Sequence, residues 1–254
     1  ITAPYLSRVL GASSIGAYSY SFSIANYFVL FGMLGINNHG CRSIAACKGD
    51  RKELSACFFR IYPIQLLFSL LSLTAYIGFS YLCINSAQQR LIFLILGLYV
   101  LSACFDVNWF FFGLEQFRIT TLRNSIIKLI AVISVFIFVR NSNGLFIYTG
   151  IYGMSFLVSQ LVLWPFLLRC IDFRMVSFNK VFSELMPCLK LFIPVIAVSL
   201  YTGINTVMLG KFSTLVETGI YDYANKFFSI PVALLNSLGT VMMPRMVSAA
   251  SSND

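Results

Sequence analysis

The chain has 254 residues, of which 58% are hydrophobic and 11% charged; its net charge is +9 and its mean hydropathy +0.82. A soluble domain carries about 25% charged residues, so an aqueous globule is excluded and lipid must solvate most of this surface. The basic surplus does not indicate nucleic acid, because Lys and Arg are spread over short connections and not gathered on one face.

In chain order, residues 1–10 read as the end of an apolar segment. A bilayer crossing needs about 20 mostly apolar residues. Such stretches follow at 15–38, 55–82, 89–112, 125–140, 145–168, 189–209 and 218–243. They do not alternate with period two, which excludes a β-barrel. The expected fold is all-α, a polytopic transmembrane helical bundle. The chain starts without Met and stops just after the last span, so a fragment of a longer protein is expected. The cysteines (Cys41, Cys47, Cys57, Cys83, Cys104, Cys170, Cys188) are scattered without a C-x-x-C pair, as expected of small buried residues.

Basic residues alternate between the connections. Arg42, Lys48, Arg51, Lys52, Arg118, Arg123, Lys128, Arg169, Arg174, Lys180, Lys190 and Arg245 fall in one set; Arg8, Arg90, Arg140 and Lys211 fall in the other. Twelve against four places the first set in the cytoplasm.

Two spans open with related words. Leu10-Gly11 and Gly16-Ala17-Tyr18-Ser19-Tyr20 introduce one; Leu209-Gly210 and Gly219-Ile220-Tyr221-Asp222-Tyr223 introduce the other. Between them lies the longest basic connection, 169–190. Six crossings, counting residues 1–10, return the chain to the same side, so the copies run parallel, as in a transporter built by duplication. The expected domains are a six-helix bundle over 1–175, its first helix truncated, and the first two helices of a second bundle over 176–254.

In the span 218–243, Asp222, Lys226, Ser229, Asn236 and Thr240 share one helical face. A central Lys or Asp costs about 2.5–3.5 kcal/mol in lipid, so this stripe is expected to face protein or a water-filled cavity. An i,i+4 ion pair between Asp222 and Lys226 is the structural alternative, and it leaves Asn236 and Thr240 unexplained. Pro231 is expected to kink the span. An offset of 203 between the motif copies sets Asp222, Lys226 and Ser229 on Ser19, Ser23 and Asn26, which also share a face. Cavity lining and small-residue packing are both open for these three.

Arg60 lies inside a span, where it either faces a cavity or snorkels to the surface. Asp106 sits near a span end beside Asn108 and Trp109, where capping, an ion pair with a loop Arg and a coupling-ion role are all open. Asp106 and Asp222 are the candidates for a coupling cation. Tyrosines near span starts fit an interfacial belt, with sugar stacking as the alternative. His39 is the only histidine, so a metal site has no support. Neither a phosphate-binding Gly-rich Lys loop nor a Gly-x-Ser-x-Gly elbow occurs. No catalytic residue or cofactor is expected, and the chain does not read as an enzyme.

One run of motifs spans nearly the whole chain: Pro4-Tyr5-Leu6-Ser7-Arg8-Val9-Leu10-Gly11, Gly35-Ile36-Asn37, Arg42-Ser43-Ile44-Ala45, Trp109-Phe110-Phe111-Phe112-Gly113-Leu114-Glu115, Leu122-Arg123-Asn124, Val207-Met208-Leu209-Gly210, Ala224-Asn225-Lys226 and Met243-Pro244-Arg245. It resembles polysaccharide flippases of the Wzx (O-antigen) type, in the MOP superfamily that also holds the MATE drug exporters. The resemblance implies two bundles of twelve or more spans in the bacterial inner membrane. It implies translocation of undecaprenyl-pyrophosphate-linked oligosaccharide repeat units for O-antigen, capsule or exopolysaccharide. Its partners would be that lipid-linked oligosaccharide, membrane lipid and other glycan-assembly membrane proteins. The family's basic positions fall on Arg8 and Lys226.

Such a cargo calls for a polar, cationic groove. Lys226 would meet the pyrophosphate, and Asn26, Ser229 and Asn236 the sugar hydroxyls, while one bundle rocks against the other. The full set of candidate cavity residues is Lys226, Asp222, Ser229, Asn236, Asn26, Ser23, Arg60 and Arg8. A cation-coupled multidrug exporter of the same superfamily is the alternative. A membrane-embedded glycan polymerase or ligase would need a large catalytic loop, which the short non-cytoplasmic connections do not supply.

Overall fold

The computed structural model describes the backbone of residues 2–47, 51–141, 144–172 and 181–251, and the side chains of the same residues except 3, 181, 182 and 234–251. Its helices are α1 (Thr2–Val9), α2 (Gly11–Met33), α3 (Ile36–Ala46), α4 (Arg51–Cys83), α5 (Ala87–Ser102), α6 (Asn108–Gly113), α7 (Phe117–Phe138), α8 (Leu145–Leu161), α9 (Trp164–Cys170), α10 (Leu185–Phe212) and α11 (Leu215–Ser251). Single 3₁₀ turns precede α6 at Ala103–Phe105 and α10 at Val181–Glu184. No strand occurs among the described residues.

Among the described residues, six helical stretches are long and apolar enough to cross a bilayer, and each coincides with an expected span. The seventh expected span is α11, which continues as helix through Pro231. Outward faces are apolar. On α7, Leu122, Ile126, Leu129, Ile130, Ile133 and Ile137 follow helical spacing and are all exposed. Water would not tolerate such a face on a monomer, and acyl chains do. The protein is a polytopic helical membrane bundle.

Three expected spans are not continuous; the stretch 145–168 turns at Val162–Leu163, between α8 and α9. The stretch 15–38 ends as helix at Met33, and Leu34 (φ 41°) and Gly35 (φ 72°) turn the chain into α3. Gly35 is required twice over. Its φ suits glycine, and a Cβ there would stand 2.8 Å from the Cys188 carbonyl oxygen and the Phe192 nitrogen of α10. The stretch 89–112 breaks at Asp106–Val107, between the 3₁₀ turn and α6.

The core divides between the two ends of the bundle. At one end, α3 and α6 press together: a Cβ on Gly40 would lie 2.4 Å from the Trp109 ring, and one on Gly113 would lie 2.7 Å from Ile44. This explains the aromatic run, because Trp109, Phe110 and Phe111 are fully buried while Phe112 is exposed. At the other end, Tyr18, Tyr20, Tyr76, Phe93 and Leu96 form the second cluster. Helix α2 is the hub, packing on α11, α4, α5 and α10.

The α2–α11 contact is where the repeated motif meets itself. A Cβ on Gly16 would fall 1.7 Å from the Leu215 carbonyl oxygen, and one on Gly219 would fall 2.1 Å from the Ala12 carbonyl oxygen. At the offset of 203, Ala12 corresponds to Leu215 and Gly16 to Gly219. One contact is therefore made in both directions, as when a two-fold axis relates two segments.

Candidate functional site

Close approach of α2 and α11 at their first turns leaves a cleft further along. There α1, α2, α8 and α11 enclose a cavity of about 280 Å³. The α2 wall contributes Ser19 and Ser23, and the α11 wall contributes Asp222 and Lys226. These are the pairs matched by the offset of 203, so repeat-equivalent positions line the same cavity.

The rest of the lining is largely aromatic: Tyr18, Phe22, Tyr148, Tyr152, Phe156 and Tyr223. Tyr18 meets Tyr148 edge-on with centroids 4.8 Å apart, and Tyr148 meets Tyr152 at 4.8 Å. Phe22 stacks on Phe156 at 6.0 Å and on Tyr99 at 5.0 Å. The Tyr223 hydroxyl is buried without a hydrogen-bond partner. Aromatic walls with hydroxyl tips give flat apolar faces and scattered donors.

Electrostatically the cavity is balanced. Lys226 Nζ donates to Asp222 Oδ2 at 2.5 Å and lies 5.7 Å from the centre of the Tyr223 ring. The expected cationic groove is thus corrected to one holding a paired positive and negative group, because an i,i+4 carboxylate is the nearest anion available to the ammonium.

Other expected residues are placed elsewhere. The Ser229 hydroxyl donates back to the Lys226 carbonyl at 2.7 Å, and Ser229 does not line the cavity. Asn26 accepts a hydrogen bond from the Tyr99 hydroxyl at 2.8 Å, beyond the cavity. Arg8 is exposed on the last turn of α1. Arg60 lies 3.8 Å from Glu184 Oε1, and its Nε donates to the Ala56 carbonyl. Asn236 and Thr240 lie outside the described side chains.

Asp106 caps α6: its Oδ1 accepts from the Asn108 backbone N–H at 2.9 Å and from Asn108 Nδ2 at 2.7 Å. Side chains also satisfy the carbonyls exposed by the helix break. Gln65 Nε2 donates to the Ala103 and Asp106 carbonyls, Tyr62 to Cys104 and Trp164 to Phe105. The break is a sealed joint in the bundle. Among the described residues no group of His, Cys, Asp and Glu is arranged to hold a metal ion.

Three features were not anticipated. Tyr148, Tyr152 and Phe156 bring α8 into the cavity, and their four-residue spacing was the available signal. Arg123, counted among loop residues, is buried; its fork donates to the Ser159 carbonyl, to Asn108 Oδ1 at 2.9 Å and to Asn124 Oδ1 at 2.8 Å. His39 Nε2 lies 2.7 Å from Glu184 Oε2, so Glu184 joins the start of α10 to both α3 and α4.

A bundle with lipid-suited faces and an aromatic, polar cavity between α2 and α11 defines a polytopic membrane protein. The family model described as "Polysaccharide biosynthesis protein" matches residues 1–250, and the chain belongs to that family. This agrees with the Wzx-type resemblance. The chain is 22% identical over 255 positions to a protein of Escherichia coli (strain K12) named "Putative O-antigen transporter", covering 100% of this chain and 61% of the relative. A Shigella dysenteriae protein of the same name is 23% identical, with 97% of this chain and 62% of that protein covered. The chain therefore spans about three fifths of the length of these curated relatives. No solved structure matches it.

Proposed function

We propose that the full-length protein is a flippase of the bacterial inner membrane that moves polyprenyl-pyrophosphate-linked oligosaccharide repeat units from the inner to the outer leaflet. The supporting observation is the cavity shared by the two motif copies, Ser19 and Ser23 facing Asp222 and Lys226. A hydrated glycan and a pyrophosphate do not cross hydrocarbon unaided, and this cavity offers hydroxyls, a cation and aromatic faces. The prenyl tail stays in lipid. Alternating access rocks two lobes about the α2–α11 crossing, with their boundary near 175, outside the described residues. The excess of basic residues places the α2–α3 turn in the cytoplasm and the first turns of α2, α8 and α11 on the opposite side.

The test is complementation. Deleting the full-length gene accumulates lipid-linked repeat units on the inner leaflet. Lys226→Ala lowers glycan export at least tenfold while membrane insertion persists. Normal surface glycan in that variant removes Lys226 from the mechanism. The aromatic lining favours one second reading, a cation-coupled drug exporter. Dye efflux without loss of surface glycan identifies that case.

A further inference from the structure

A second cavity, of about 600 Å³, opens on the opposite face of α2. Ser13, Ser14, Ser86, Gln88 and Gln89 line it, and no charged side chain among the described residues does. None of these five side chains hydrogen-bonds to another described residue, and each is at least partly exposed. Its size falls within the usual range of ligand pockets, about 300–1,000 Å³.

The polar side is held in place. The α4–α5 turn carries Ser86, the first turn of α5 carries Gln88 and Gln89, and Arg90 clamps the two together. The Arg90 guanidinium donates to the Ile84 carbonyl from Nε at 3.2 Å and from Nη2 at 2.7 Å, and its backbone N–H donates to the Ser86 carbonyl at 2.9 Å. Ile84 itself is buried. Ser86 occupies the N-cap of α5, yet its side chain makes no capping bond. Ile92 lies one turn beyond Gln88 on α5, and Phe146, at the start of α8, and Leu215 of α11 complete the apolar lining.

We propose that this second cavity binds the sugar portion of the cargo as a vestibule for uncharged, hydroxyl-rich rings; the inference rests on the carrier reading above. Primary amides and hydroxyls both donate and accept, which suits vicinal diols. Apolar and aromatic walls suit the C–H faces of a sugar ring. A lining without charge gives no advantage to an isolated anion or cation. The clamped turn lowers the ordering cost of binding. The cavity sits at the end of the bundle poor in basic residues, where a translocated glycan is released. Lipid-anchored pyrophosphate and sugar thus have separate places, the charged one beside Lys226 and the uncharged one across α2.

Photo-crosslinking in living cells tests this. p-Benzoylphenylalanine is placed at Gln88 or Ser13 of the full-length protein, with Leu129 on the exposed face of α7 as control, and the cells are fed a radiolabelled sugar of their own surface glycan. Sugar-labelled adducts are expected at positions 88 and 13 and not at 129. The pair Gln88→Ala and Gln89→Ala is expected to lower labelling at position 13 about tenfold, through loss of two hydrogen bonds. Adducts at 88 and 13 that hold phospholipid alone, or no label at all, overturn the vestibule. The carrier reading is judged separately, by build-up of lipid-linked units in the deletion strain, so the two failures are distinguishable.

Discussion

Replacing Gly16 by Ala tests the α2–α11 crossing directly. The new Cβ would sit 1.7 Å from the Leu215 carbonyl oxygen and 2.9 Å from the Gly219 nitrogen. Both neighbours are backbone, so no rotamer change relieves the clash. Ordinary contact begins at 3.4 Å, so the helices must part by about 1.7 Å. Overpacking costs about 1–3 kcal/mol, and a backbone-on-backbone case belongs at the top of that range, about 3 kcal/mol. Gly219→Ala meets Ala12 at 2.1 Å and should cost about 2 kcal/mol on the same scale. The two are not independent, because one separation of the helices admits both methyl groups. The double variant should cost about 3 kcal/mol in place of the additive 5 or so. Gly78→Ala is the control: nothing lies within 4 Å, and better helix propensity should stabilise by up to about 1 kcal/mol. The buried thiols of Cys57, Cys104 and Cys188 report unfolding of the full-length protein through a maleimide dye. A Gly16→Ala protein as stable as the parent, or strictly additive single effects, refutes the crossing.

Three further outcomes follow from the polar joints. Gln65→Leu removes two donors to backbone carbonyls and the acceptor for Trp109 Nε1, and should destabilise by about 3 kcal/mol, visible as an altered Trp109 emission and an earlier dye-detected transition. Arg123→Lys keeps the charge but loses the fork to Asn108 and Asn124; about 2 kcal/mol should be lost in the same assay. Glu184→Gln weakens the tie of α10 to His39 and Arg60 by about 1 kcal/mol. Buried Cys188, one turn further on, should then label faster with maleimide in the folded protein.

Apolar run length located the spans, because crossing hydrocarbon demands it whatever the packing. It did not locate the breaks. Hydropathy averaged over about 20 residues is blind to the sign of φ at Leu34 and Gly35. Asp106 drew notice as an intramembrane charge, but its capping role depends on α6 restarting two residues later. Arg123 reads as a loop residue because it falls between the apolar stretches 89–112 and 125–140. Besides its neighbour Asn124, its acceptors come from α6 and α8, apart in the chain, and no local pattern announces them. The cavity was half legible. The offset of 203 matched Ser19 and Ser23 with Asp222 and Lys226, and all four line the one cavity. The α8 aromatics were not legible, because tyrosine at helical spacing fits an interfacial belt equally well. Asn26 lies on the same stripe as Ser23, yet Tyr99 draws it away.

The two motif copies keep a backbone contact and differ in chemistry. Gly16 and Gly219 retain equivalent roles, since either methyl group would force the helices apart. One turn and two turns further on, serines on α2 face a carboxylate and an ammonium on α11. The Asp222–Lys226 pair also sets what the cavity can offer an anion. With 2.5 Å between them, one of the three ammonium donors is committed to Asp222, and a cargo oxygen that meets the others is also repelled by that carboxylate. On the proposed reading, affinity for a pyrophosphate is then a difference between two interactions. A carrier benefits from that difference being small, because cargo held by an unopposed buried cation would be slow to leave, and turnover requires release as much as capture.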